Sequence, residues 1–563
     1  MNRDVGCVLT TGLMIFVFLF TAIAPVNAGR EVRLILQITV DGLRGDLLSR
    51  YGDRFGLDGF RYLLEDGTVF TNAHYQHANT ETIVGHTTLA TGTSPSLHGM
   101  IGNVWLDRES GELGYNIEDP AHPLLPTRDH KKASTQLDPA QKASRTDGRS
   151  PNAILASTFS DELFVHTGGR AKIFAVSGKD RGAVPLAGHF GKAFWYSTDS
   201  GDFVSSRYYY DAYPEWAVNW NAKGLAASHE GQSWNLLNDP STYLFGAADD
   251  RPYEQDLRGY GRTFPHSFGP ADSELFTTYL FVSPVGDRLT NDFAKTVIAE
   301  ERLGQDDVPD YLAVSFSSVD AINHFFGPSS LENEDVVLQL DRVLADLLAF
   351  VDKEVGLGHT LIVLSADHGM AEMPEFMAEN GFPVGRIYSD DIVKLANDAA
   401  ANRFGIKDVV DRFYRPYLYL NAKLIKAAGL DRLEVEKGIA DALMQREGIA
   451  VAVPVRGQGT MVDSTVLGQI QNNTHPLRSG DIYVAQAPYW FMFEKGSIVA
   501  MHGSPWRYDT FVPIIFAGPG IEARAVSRLV HPADVAPTLA SFLGTKIPSS
   551  VTGTPLQEVL SRR

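Results

Sequence analysis

Four near-continuous apolar runs constrain this chain most: RLILQITV (residues 33–40), AKIFAV (171–176), YLAVSF (311–316) and HTLIVL (359–364). Each is short and bounded by polar or turn-forming residues, which is the pattern of a strand buried on both faces. Helical patterns separate them. In DVVLQLDRVLADLLAFVDKEVG, Val336, Leu340, Val343, Leu347 and Val351 recur at helical spacing on one side. Strands alternating with helices predict an α/β fold with parallel strands joined by crossover helices. Near the end, FVPIIFAGPG and HPADVAPTLASFLG add a strand and a helix that close the sheet.

The residues just past each strand are the second constraint. Asp41 comes after the first run, Asp320 and His324 after the third, and Asp367 and His368 after the fourth; His502 comes after the apolar stretch EKGSIVAM. Carboxylates and imidazoles therefore gather at the carboxyl ends of strands, where open α/β sheets build their sites. Burying them is costly unless something holds them. Asp320 and His324, four apart, face the same way across one helical turn or a tight loop. Three aspartates and three histidines without a cysteine suit zinc. Six ligands exceed what one four-coordinate ion with an open position can use, and they divide into two metals; paired metals ~4 Å apart clamp phosphoryl transfer. His74, His77, His86 and His98 lie in turn-rich or helix-start contexts without acidic partners at metal spacing. They are read as structural.

A nucleophile is sought in NTETIVGHTTLATG, where Thr80 and Thr82 precede a helix. A helix N-terminus offers free N–H groups to an anion, but both threonines also suit ordinary caps. A threonine hydroxyl attacks only when a metal or base stabilises its alkoxide, and the residues alone do not choose between the two. Asn103, in GMIGNVW, is a candidate amide donor. Lys179 and Arg181, in FAVSGKDRGAV, share a side if that segment is extended. Together they match one dianionic phosphate, with arginine able to bind it through two N–H groups. The P-loop pattern G-x-x-x-x-G-K-[ST] does not occur.

Composition excludes other classes. The 563 residues carry a formal charge of -19, which repels phosphate backbones and disfavours a nucleic-acid partner. Residues 1–28 read as a signal peptide, with the apolar core LMIFVFLFTAIA followed by PVNAG. That core falls short of the ~20 apolar residues a bilayer span needs, so no stable membrane partner is expected. The one cysteine, Cys7, lies inside this segment, so the mature chain has no disulfide and no thiolate metal ligand. A periplasmic or secreted protein is the expectation. Two stretches break the strand–helix rhythm, at about residues 195–284 and 374–497, and are expected to form a lid or cap.

The motifs TVDGLRGD, TIVGHTTLATGTSPSLHGMIGN, SGKDRGA, SVDAINHFFGP, SADHGM and MHGSPWRYD, in this order, resemble the alkaline phosphatase superfamily. Specifically, they resemble PafA-type alkaline phosphatases and their nucleotide pyrophosphatase/phosphodiesterase relatives, over nearly the whole mature chain. The resemblance implies a three-layer α/β/α sandwich with a mostly parallel central sheet, and residues 29–563 as one catalytic domain. It implies that Asp41, Asp367 and His368 hold one zinc together with the oxygen of Thr82, and that Asp320, His324 and His502 hold the other. Thr82, three residues before the Gly-His pair, becomes the nucleophile. Asn103, Lys179 and Arg181 match positions that grip phosphate, and the Lys-x-Arg pair is similar to the monoesterase branch. The implied activity is zinc-dependent hydrolysis of phosphate monoesters by a monomer through a phosphothreonine intermediate, with inorganic phosphate as product and inhibitor. Phosphodiesterase or nucleotide pyrophosphatase activity is the alternative. A sulfatase is disfavoured, since TSPSLHG lacks the arginine of the C/S-x-P-x-R setting.

Overall fold

Nine strands form the central sheet: β1 (Leu34–Val40), β2 (Thr68–His74), β3 (Ile173–Ser177), β4 (Lys192–Tyr196), β5 (Phe203–Val204), β6 (Asp310–Phe316), β7 (Thr360–Ser365), β8 (Phe511–Ala517) and β9 (Arg524–Val526). Their spatial order is β9-β2-β8-β7-β1-β6-β3-β4-β5. The computed structural model describes residue 1 and residues 32–126, 138–457, 463–496 and 498–560; the signal peptide expected at residues 1–28 lies, apart from residue 1, outside them.

Alternate side chains of the central strands enter different cores, because successive residues of a strand point to opposite faces. Leu36, Ile38 and Val40 of β1 join Leu312, Val314 and Phe316 of β6 on one face. Ile35, Tyr311 and Ala313 pack on the other. Burying a Leu or Ile side chain contributes roughly 1.5–3 kcal/mol, so a register slip that reversed these faces would be strongly disfavoured. The helix Leu331–Glu354 covers the first face, and its predicted stripe of Val336, Leu340, Val343, Leu347 and Val351 is wholly buried there. The expected mostly parallel three-layer α/β/α sandwich is thus observed.

Two details differ from expectation. β8 does not close the sheet: it lies between β7 and β2 and runs antiparallel to both. Its register slips between Val512 and Ile514, at Pro513, which has no N–H to give a neighbouring strand. β2 gave no strand signal, because TVFTNAH mixes polar with apolar residues.

Of the two irregular stretches, residues 374–497 build a four-stranded antiparallel sheet (Val410–Tyr414, Tyr417–Leu420, Ile482–Gln486, Ile449–Pro454) with a core of its own. The other begins inside β4, and its Trp220, Trp234 and Tyr260 join the core of the first sheet face. It also brings Glu254 beside Glu332. Neither oxygen of Glu254 accepts a hydrogen bond, and burial together with the Glu332 charge pushes its pKa up to about 9. The unfolded chain releases this proton above the ordinary value of 4.5, while the folded chain holds it, so this carboxyl lowers stability progressively as pH rises across that window. Glu254→Gln removes the titration. Thermal scans should show little gain for the variant at pH 5 and a gain of several degrees at pH 9; equal shifts at both would refute the cause given.

Candidate active site

The strand order fixes which chemical groups meet. β7, β1, β6 and β3 are consecutive neighbours running the same way, so the segments leaving them emerge side by side at one edge. Asp367 and His368 come after β7, Asp41 after β1, and Asp320 and His324 lie one turn apart on the helix Ser318–Phe326 after β6. Lys179 comes after β3. Because β8 is antiparallel, it begins at this same edge, which is why His502 arrives in the loop before a strand rather than after one. β2 ends here too and leads to the helix Thr82–Thr91.

All three imidazoles are oriented alike. Each Nδ1 lies against a backbone carbonyl: His324 on Ala500 O at 3.0 Å, His502 on Thr80 O at 2.7 Å and His368 on Gly369 O at 2.8 Å. That bond fixes the tautomer with the proton on Nδ1, leaving Nε2 as a lone-pair donor. His368 Nε2 lies 3.4 Å from both Asp41 Oδ1 and Asp367 Oδ2. His324 Nε2 is 3.4 Å from Asp320 Oδ2, and His502 Nε2 is 3.6 Å from Asp320 Oδ1. The rings of His368 and His502 stack at 3.5 Å. Ligand atoms of Asp320, His324 and His502 lie within 4.8 Å of one another, as do those of Asp41, Asp320 and His368, so Asp320 stands between two groups.

Asp41 Oδ1, Asp320 Oδ1, His368 Nε2 and Thr82 Oγ1 are buried without a hydrogen-bond partner, and Asp41 Oδ2 and Asp367 Oδ2, which make none either, face the Lys179 ammonium and the His86 ring. Such groups cost on the order of several kcal/mol each when nothing compensates them. Their gathering fits divalent cations, and the donor set of carboxylate oxygens and imidazole nitrogens without thiolate suits zinc. Electrostatics agree. Burial pushes Asp320 up, but Lys179, His324 and His502 outweigh it and hold the carboxyl well below its ordinary value. Asp367 is likewise lowered, with burial overcome by His368 and His86. Asp41 goes the other way: burial and the charges of Asp320 and Asp367 outweigh Lys179 and His368, and it is raised well above. Burial and the neighbouring His368 depress His502 well below the usual imidazole value.

Lys179 and Arg181 are not on an extended segment. Lys179 is the residue just before the helix Asp180–Ala187 and Arg181 lies in its first turn. The Lys179 ammonium stands between Asp41 Oδ2, at 2.7 Å, and Asp320 Oδ2. Arg181 pairs with Asp138 at 2.6 Å and contacts the Tyr115 hydroxyl. Asn103 Oδ1 accepts the Ile83 N–H at 3.1 Å, which leaves its NH2 as the group free to donate elsewhere.

The two threonines are now distinguishable. Thr80 Oγ1 donates to Ser504 O at 3.1 Å, whereas Thr82 Oγ1, at the helix N-terminus, has no partner. The helix packs directly on the Asp367 loop. A Cβ at Gly85 would lie 1.9 Å from Asp367 O, so only glycine permits the approach. His86 corrects the sequence reading: its Nδ1 is 2.8 Å from Thr82 O and 3.2 Å from Asp367 Oδ2, so it does have an acidic partner. His77 and His98 instead meet at Thr88 Oγ1, and His74 contacts Thr510, as structural residues do.

Sequence reasoning missed Glu81 and Arg415. Arg415, buried and contributed by residues 374–497, donates to the carbonyls of His502 and Gly503 and lies 3.5 Å from Glu81 Oε1. Glu81 Oε2 accepts the Asn103 N–H at 2.5 Å. One buried ion pair thus ties the His502 loop to the Asn103 turn. Arg415→Met is expected to lower kcat/KM by roughly 10–100-fold, as loss of a ligand-orienting contact does, and to lower bound metal per chain; unchanged values for both would deny it that role.

A nine-stranded α/β/α sandwich with acids and imidazoles at its carboxyl edge defines an alkaline-phosphatase-like protein. The family described as type I phosphodiesterase/nucleotide pyrophosphatase matches residues 35–505, and this chain belongs to it. Within that family it is of the PafA type. It is 31% identical over 543 residues to alkaline phosphatase PafA of Elizabethkingia meningoseptica, covering 95% of this chain and 96% of that one. The solved structure of alkaline phosphatase PafA superposes with a TM-score of 0.86 at 29% identity, over 94% of this chain and 99% of that one. A Myroides odoratus protein named calcium-transporting ATPase is 32% identical over 535 residues, 94% of this chain and 95% of that one. Among the described residues, no helix is long and apolar enough to cross a membrane.

Proposed function

We propose that this alkaline phosphatase is an exported, zinc-dependent hydrolase of phosphate monoesters that works through a covalent phosphothreonine on Thr82. The observation that carries the reading is the convergence of three imidazole Nε2 atoms, three buried aspartates and the unpartnered Thr82 hydroxyl at one sheet edge. Asp41, Asp367 and His368, with the Thr82 oxygen, would hold one zinc; Asp320, His324 and His502 would hold the other. A bound zinc pair supplies the charge that lowers the pKa of a hydroxyl and steadies a departing oxygen.

The chain's own groups do the rest. Thr82 Oγ1 attacks phosphorus in line and expels the alcohol on the far side, and water later cleaves the phosphothreonine. Negative charge stays on the nonbridging oxygens, where Arg181, Lys179 and the Asn103 amide act by position and charge. Inorganic phosphate has the shape and charge of the transferred group and should inhibit. Residues 374–497 serve as a cap that braces the site through Arg415.

Metal content measured beside monoester and diester kinetics tests the assignment. Lys179→Ala/Arg181→Ala should lower kcat/KM about 10²–10³-fold for an aryl phosphate monoester and far less for the matching diester, because only the monoester brings a dianion. Equal losses for both would remove the pair from that role. The family description favours a second reading, a phosphodiesterase or nucleotide pyrophosphatase, and a wild-type preference for the diester would establish it.

A further inference from the structure

A cavity of about 200 Å³ adjoins the site. Asp320, His324, Lys179 and Arg181 line it, whereas Asp41, Thr82, Asp367 and His368 do not. In an in-line displacement the attacking and departing oxygens lie on opposite sides of phosphorus. A cavity that touches the Asp320–His324 end and the phosphate-gripping cations, but not the Thr82 end, is therefore placed to receive the alcohol part of an ester. The rest of its lining is mixed: Phe281, Phe325, Ile498, Val282, Trp195 and Leu124 supply apolar and aromatic groups, beside charged groups such as Asp147, Arg149 and Asp199. Most of the apolar side chains are nearly buried in the surrounding core, but Phe281 and Leu124 keep part of their apolar surface uncovered. Phe281 is held in place by stacking on Tyr196, with ring centroids 6.1 Å apart and planes 9° apart. A held, partly uncovered aromatic ring on the departing side gives an alcohol group an apolar surface to cover, and covering it is favourable.

We propose that this cavity is an alcohol-side subsite that selects phosphate monoesters whose alcohol carries an aromatic or bulky apolar group. The inference rests on the monoesterase reading above. Selection acts on kcat/KM, because the apolar contact is made as the ester is seated and kept while the alcohol departs. Inorganic phosphate, which has no alcohol part, does not reach the wall.

The test compares 3-phenylpropyl phosphate with propyl phosphate. Their alcohols are of similar acidity, so the ratio of the two kcat/KM values reads the cavity and not the chemistry of the leaving group. Wild type should prefer the phenyl ester by about tenfold or more, the effect expected from burying part of an aromatic ring. Phe281→Ala should reduce that preference severalfold, while inorganic phosphate inhibits both proteins alike. Leu124→Ala, the other partly uncovered apolar side chain of the lining, should also reduce it and guards against a Phe281 variant that fails to fold. Equal kcat/KM for the two esters in wild type would overturn the subsite and leave the monoesterase reading intact. Failure to hydrolyse either ester, by a protein shown to be folded and metal-loaded, would overturn the reading on which the subsite depends.

Discussion

Thr82→Ala should lose monoester turnover by about 10⁴-fold or more while its melting temperature stays within a degree or two of wild type, since loss of a covalent nucleophile has effects of that order. The second half of that expectation is as informative as the first. Thr82 Oγ1 is buried and makes no hydrogen bond, so deleting it breaks none and leaves no partner stranded. The helix it begins is held by other means: Asn103 takes the Ile83 N–H, and Gly85 seats the helix on the Asp367 loop. Thr80→Ala is the control with the opposite profile. Its hydroxyl donates to Ser504 O, so its loss should cost about 1 kcal/mol of stability and much less activity. Thr82→Ser should recover most of the lost rate and should trap phosphate on serine in a rapid acid quench. If Thr82→Ala turned over monoesters at near wild-type rate, the covalent route would be finished.

How much of the fold and site is legible in the sequence depends on where each residue's partner lies. Asp41, Asp367 and His368 each come directly after an apolar run, and Asp320 and His324 carry their own helical spacing, so local pattern locates them. Local pattern does not choose Thr82 over Thr80, because the deciding contact is the Ser504 carbonyl, 424 residues along the chain. His86 looks structural for the same reason: its acid is Asp367, which only the packing of Gly85 brings near. Arg415 sits in FYRPYLYL, an ordinary strand-and-turn sequence, and its meaning emerges only when the inserted sheet reaches the His502 loop. The reversed direction of β8 is hidden too, since an apolar run has the same composition whichever way it points. That reversal is what delivers His502, so the one proposed ligand not preceded by a central-sheet strand is the one the fold brings in backwards.

Chelation should remove activity and stability together, and the coupling of the two is the sharper claim. Three aspartates, Asp41, Asp320 and Asp367, are buried at one edge, the Lys179 ammonium touches two of them, and Asp41 already holds its proton more tightly than an ordinary carboxyl. Without divalent charge these groups repel one another in a medium that screens poorly. A cation present at about 1,000 times its dissociation constant stabilises the folded chain by roughly 4 kcal/mol per site. Two such sites in a chain of this size should raise the melting temperature by ~10 °C. The gap between metal-loaded and chelated protein should widen from pH 5 to pH 8. Protons compete for the carboxylate and imidazole ligands at the acid end, and raising the pH both frees those ligands and deepens the repulsion among the bare carboxylates. Zinc returned after chelation should restore rate and melting temperature in parallel, with two equivalents per chain completing both. Asp320→Asn should blunt both responses more than any other single ligand change, because Asp320 contacts His324 and His502 on one side and shares a second group with Asp41 and His368. Should the chelated protein keep its full rate, or should its melting temperature ignore zinc at pH 8, the buried acids are held by the chain alone and the metal reading fails with them.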